Sequence, residues 1–123
     1  MMRQFAILLV FAMFLDEPQP SMKLEGLTNW GDLTMLGKTQ FRLDNHPVWF
    51  GVGRIRDDGK IILIWTLRAT DEPCPGVYTV NEKGELVGEW GYAHDTKIED
   101  DGRITGNVRS DRVYLLPPLE PDL

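Results

Sequence analysis

From Thr39 onward apolar and polar residues alternate with a period of two, the spacing of a strand that buries one face. Phe41 and Leu43 stand among Gln40, Arg42 and Asp44, and Asn45-His46-Pro47 turns the chain into Val48-Trp49-Phe50. A longer motif then recurs three times, over residues 51–65, 76–90 and, in more degenerate form, 94–108. Each copy reads as a strand, a polar turn closed by Gly59, Gly84 or Gly102, and a second strand. Glycine at the end of a short turn supplies the positive φ of a bulged hairpin, which a β-branched residue adopts at a cost. Arg112 to Leu116 is predicted as a last strand, and Pro117, Pro118 and Pro121 stop any further ladder. The pattern predicts an all-β antiparallel meander of seven to nine strands, a small barrel or sandwich. Leu24 to Gly37 is readable as a turn of helix or as an irregular first strand.

The pleat assigns the faces. After each turn glycine, the second, fourth and sixth positions are Ile61, Leu63, Trp65; Leu86, Gly88, Trp90; and Ile104, Gly106, Val108, which marks an inward face. Gly88 and Gly106 lie in mid-strand, where glycine permits strong curvature or close approach of another chain. Ile62 and Ile64 place bulk on the outer face as well. They call for a covering layer, such as the N-terminal segment, or for a contact with another copy.

The first residues are a different material. Met1-Met2-Arg3-Gln4 is basic, Phe5 to Leu15 is an unbroken apolar run of eleven, and Asp16-Glu17-Pro18-Gln19-Pro20 breaks it. That is the layout of a secretory signal or an uncleaved anchor, and the run is short of the about twenty residues a spanning helix needs. No small-x-small pair follows the run, and a core helix or a true start at Met22 are the competing readings. The expected organisation is a leader or anchor with its linker over 1–21, one β domain over 22–116 and an irregular proline-rich tail over 117–123. The expected location is secreted or periplasmic, or cytoplasmic if the chain starts at Met22.

Composition narrows the chemistry. A net charge of -6 and basic residues interleaved with acids argue against a nucleic-acid partner. Cys74 is the single cysteine, so no intramolecular disulfide exists, and it is read as a loop cysteine in the turn-forming stretch Asp71–Gly76. His46 and His94 have no second ligand at metal-binding spacing, and the acidic residues before Gly59, Gly84 and Gly102 are hairpin chemistry rather than a calcium loop. No catalytic residue, metal site or cofactor is predicted. The aromatic residues are the remaining lead: Trp49, Trp65, Tyr78 and Trp90 fall in or beside the hairpins. They either fill the core of a small barrel or wall a ligand cup at its mouth.

The run Gly51-Val52-Gly53, followed by Gly76-Val77-Tyr78 with Val80, Gly84, Leu86, Gly88 and Trp90, resembles small exported bacterial proteins of unassigned function built from the same glycine-turn meander. The likeness spans about residues 47–108 and implies fold and export. More distantly the chain looks like avidin and lipocalin barrels, whose ligand-contacting polar residues have no position-by-position counterpart here. The leading expectation is an exported, non-enzymatic binding or interaction module for a small molecule or protein. A small hydrolase with a carboxylate or histidine at the barrel mouth is the alternative. A structural component of an assembly, touching through Ile62 and Ile64, is the third.

Overall fold

The computed structural model describes residues 21–117; the expected leader over residues 1–20 and the tail beyond Pro117 lie outside the described residues. The described chain is all β. Its strands are β1 (Gly26–Thr28), β2 (Gly31–Met35), β3 (Gln40–Asp44), β4 (Trp49–Ile55), β5 (Ile61–Leu67), β6 (Glu72–Val80), β7 (Leu86–Trp90), β8 (Thr96–Ile98), β9 (Ile104–Gly106) and β10 (Arg109–Val113). Eight of them form one antiparallel sheet in the order β1-β2-β3-β4-β5-β6-β7-β10, while β8 and β9 pair only with each other. The ambiguous segment over Leu24–Gly37 thus forms two strands, which takes the total to ten rather than seven to nine.

The sheet is a meander curled into a half-barrel, and its two edges meet. Thr28 of β1 bridges Leu115, just past β10, and Asn29 N donates to Tyr114 O at 3.1 Å. The Asn29 side chain adds two more ties, donating to Arg112 O and accepting from Tyr114 N. The expected last strand over Arg112–Leu116 is correspondingly shifted. Its paired part is β10, and Leu115 contributes the single bridge.

The repeated turns are one geometry used three times. Gly59, Gly84 and Gly102 have φ of 85°, 82° and 85°, the conformation expected at these positions. In each, the glycine N donates to the carbonyl three residues back, to Arg56, Asn81 or Glu99, and that same residue's N takes the carbonyl just after the glycine. Side-chain oxygens of Asp58, Asn81 and Asp101 accept the backbone N–H two residues on, which explains the polar residues before each glycine.

Inside, the rings and the glycines are matched. Phe41 lies opposite Gly53, Trp65 opposite Gly51, Tyr78 opposite Gly88 and Trp90 opposite Gly76. A Cβ on Gly53 would run into the Phe41 ring, and one on Gly51 would sit 3.0 Å from the Trp65 indole. Each large ring thus lies across a strand that has given up its own side chain, which packs wide rings into a narrow barrel. Around them Leu24, Leu33, Leu43, Ile61, Leu63, Leu86 and Val113 complete the core.

Two sequence expectations are corrected. The third hairpin does not continue the meander: Ile104 and Val108 are half-buried and Gly106 is exposed, so this face is not an inner wall. β8 pairs only with β9 and packs against β6 without joining the eight-stranded sheet. The β8–β9 turn is held to the β4–β5 turn by Lys60 Nζ on Asp101 O at 2.9 Å and Arg56 on Asp100 O at 3.3 Å. Ile62, at that end, is half-buried, whereas Ile64, further along, is 37% exposed.

The second correction concerns Asp71–Gly76. The turn lies one step earlier, with Asp71 N on Leu67 O at 2.8 Å, and strand β6 already runs from Glu72. Pro73 and Pro75 are tolerated there because β7 pairs β6 only from Gly76 onward, so the missing N–H groups face an unpaired edge. The Pro75 carbonyl points to that side, accepting from Gly91 N. Cys74 is therefore a fully buried strand residue opposite Trp65, not a loop thiol.

Candidate functional site

The strand register brings one end of the barrel together from five places in the sequence. Trp30 comes from the β1–β2 turn, Trp49 from the start of β4, Trp65 from the end of β5, Trp90 from the end of β7 and Asp111 from β10. These five line one small cavity of about 10 Å³, room for about a single water. All four tryptophans of the chain are in this lining. Tyr78, from β6, lies beneath it, fully buried.

A hydrogen-bonded chain fixes the floor. Trp65 Nε1 donates to the Tyr78 hydroxyl at 2.9 Å, and that hydroxyl donates to Asp111 Oδ2 at 2.6 Å. Trp30 Nε1 donates to Asp111 Oδ1 at 3.0 Å. Burial first, and then the Asp111 carboxylate beside it, push the Tyr78 phenol far above its ordinary range, so it remains a fixed donor. Trp65 is 3% exposed and belongs to the core, whereas Trp30, Trp49 and Trp90 are half-buried at the rim.

The rim is a run of rings. Trp30 stands 5.4 Å from Trp65 and 5.2 Å from His46, and Trp49 stands 5.4 Å from Trp90 in an edge contact. Trp90 continues to Tyr92, and Tyr92 stacks on His94. The Arg109 guanidinium lies over both Trp90 and Tyr92, at 5.5 and 5.2 Å from the ring centres.

Around the rim, the turns are braced. His46 Nδ1 accepts from the backbone N–H of Val48 and Trp49, closing its turn, and the imidazole is thereby committed to structure. Arg68 donates to His46 O and to Asp44 Oδ1, joining two neighbouring turns. That hydrogen bond from Arg68 holds the Asp44 carboxyl below its usual range. His94 is 69% exposed at its side chain and lies 3.5 Å from Glu72. Cys74, buried and raised in pKa first by burial and then by Glu72, faces the core. Among the described residues no group of histidine, cysteine or carboxylates is arranged to hold a metal.

Of the residues singled out in the sequence, Trp49, Trp65 and Trp90 share the cavity wall and Tyr78 its floor. Trp30 and Asp111 were missed. Trp30 sits in the segment whose periodicity is ambiguous, and an inward Asp111 runs against the hydrophobic alternation that identifies core positions. A second, open hollow of about 600 Å³ lies at the far end of the barrel, between Met22, Met35, Ile55, Ile61 and Val80. It is rimmed by Lys38, Arg56, Asp57 and Asp58 and adjoins Ser21, the first described residue.

Comparison of the chain with protein-family models, curated proteins and solved structures finds no match. The tryptophan-lined end therefore has to be interpreted from its own chemistry.

Proposed function

We propose that the chain is an exported, non-enzymatic binding module that takes its ligand at the tryptophan-lined end of the barrel. The observation that carries this reading is the gathering of all four tryptophans onto one cavity with an ordered carboxylate at its base. A core needs large rings, but it does not need a charged group among them, and this carboxylate is held by two hydrogen bonds with acceptor capacity to spare. Export rests on the basic start and the apolar run over Phe5–Leu15. Fusing residues 1–25 to a reporter active only outside the cytoplasm tests it: signal is expected, and its absence together with normal folding of a chain starting at Met22 overturns it.

The test of binding is a fluorescence titration of the folded chain against small molecules of differing charge and polarity. Because every tryptophan lines the site, a bound molecule is expected to shift the emission saturably. No saturable response from any class, combined with an equal stability loss for Trp49→Ala and Trp65→Ala, would reduce the site to core packing. The hydrolase reading draws support from the His94–Glu72 pair beside the rim. Among the described residues the one cysteine, Cys74, is turned into the core and away from that pair, and the binding reading is preferred.

A further inference from the structure

We infer that the ligand recognised at this end is an organic ammonium cation, held by the tryptophan faces and the Asp111 carboxylate; the inference rests on the binding reading above. Three observations converge on it. Asp111 is half-buried, its two oxygens accept from Trp30 Nε1 and the Tyr78 hydroxyl, and both of these donors are neutral. Among the described residues no cation lies within 4.0 Å of it, so its negative charge is oriented without a direct ion-pair partner. A carboxylate has about four acceptor positions, and two are in use, which leaves acceptor capacity beside the cavity that it lines.

The second observation is the wall. Trp30 and Trp65 have their indole N–H groups committed to the floor network, so these walls present ring rather than donor. Ring faces carry negative quadrupole charge and attract cations, and a carboxylate among several rings is the complement of an ammonium group. An anion would meet repulsion from Asp111 and from the ring faces. A sugar would need several polar partners, and among the five lining residues only Asp111 carries a side-chain oxygen. The third observation is Arg109, whose guanidinium already rests on Trp90 and Tyr92 just outside the cavity. The outer rim thus holds a cation within the chain itself.

The cavity has room for about one water as it stands, and an ammonium head on an alkyl stem is larger. Entry requires Trp49 and Trp90, the facing half-buried rings, to separate. Trp65 and Tyr78, fixed in the floor, stay in place. Binding is therefore expected to change the environment of Trp49 and Trp90 more than that of Trp65.

The experiment is a tryptophan-fluorescence titration at constant ionic strength with choline and with n-butylammonium. Their uncharged counterparts, 3,3-dimethylbutan-1-ol and butan-1-ol, serve as controls. At least one cation is expected to bind about tenfold or more tightly than its uncharged counterpart. Choline above butylammonium would assign methylated ammonium groups, and the reverse order primary ones. Asp111→Asn, checked for folding by thermal melting, is expected to bring cation and alcohol to equal affinity. Trp49→Ala is expected to weaken the cation without altering the floor. Equal binding of cation and alcohol to the unaltered chain overturns the ammonium assignment while leaving an apolar binding site. Saturation by a carbohydrate or an anion, with no response to either cation, overturns the assignment and likewise leaves the site. Should Asp111→Asn fail to fold, the cation–alcohol comparison on the unaltered chain decides by itself.

Discussion

At the residue scale, the turn glycines and the barrel rings make opposite demands, and both are measurable. Gly84 has φ of 82°, and an added Cβ would lie 2.9 Å from the Lys23 side chain, whose backbone N is bonded to Gly84 O. Gly84→Val is expected to lose about 1–3 kcal/mol in chemical denaturation, from the left-handed backbone and the crowded neighbour together. An unchanged midpoint would contradict the bulged-turn geometry. The tryptophans divide by burial. Trp65→Ala opens a cavity in a closed core and removes the indole N–H that the Tyr78 hydroxyl accepts from, so a loss of about 3–5 kcal/mol is expected. Trp49→Ala, at the rim, is expected to cost clearly less. If the two variants melt alike, Trp49 is packing and not wall.

At the element scale, the sequence made the hairpins legible and left their assembly obscure. The three polar-glycine turns were readable because each one fixes its own backbone through contacts within five residues, the range over which a sequence pattern acts. The inward faces of β5 and β7 were readable because their alternation is sharp, with Ile61, Leu63 and Trp65 all buried. The third hairpin misled for a physical reason. Its strands alternate in the same way, but they pair only with each other, and alternation alone cannot say whether a hairpin joins the sheet. Asp71–Gly76 misled because prolines signal turns, whereas here an unpaired half of β6 accommodates them. Of the candidate site, Trp65 and Trp90 are visible from their equivalent repeat positions and Trp49 from its place beside the Asn45-His46-Pro47 turn, while Asp111 became visible only through its register opposite Gly88. The separate status of β8–β9 has its own consequence. A pair of three-residue strands held by surface bonds opens locally more often than the central β5–β6 pair. Amide exchange in β8–β9 is expected to be much faster than in β5–β6, and equal protection would mean that the hairpin is an integral layer of the fold.

At the scale of the whole molecule, stability against pH is set by a few groups whose shifts have opposite signs. Asp44, Asp58 and Asp101 are held below the ordinary carboxylate value of 3.8, first by Arg68, by the Lys60 backbone N–H and by the Arg103 backbone N–H respectively. A group depressed in the fold stabilises it above its unfolded pKa, and that contribution is lost as pH falls through the folded value. These carboxylates are exposed, so the acid limb is expected to be shallow and to flatten further in salt. Tyr78 behaves in the opposite sense. Its phenol is raised above the ordinary value of 10.0, chiefly by burial and then by Asp111. Below that value both folded and unfolded states keep the proton, and stability does not depend on it. Above it the unfolded chain ionises while the folded chain does not, so stability falls as pH rises. One proton of difference corresponds to about 1.4 kcal/mol per pH unit, which makes the alkaline limb the steeper of the two. Denaturant midpoints measured upward through that value are expected to decline for the unaltered chain and to decline less for Tyr78→Phe, which has no proton to lose. Tyr78→Phe also deprives Trp65 Nε1 of its acceptor and Asp111 of a donor, so its midpoint at neutral pH is expected to start lower. The slope, not the starting level, is therefore the discriminating quantity. Parallel alkaline slopes in the two chains would show that the Tyr78 hydroxyl is open to solvent, and with it the floor on which the tryptophan site is built.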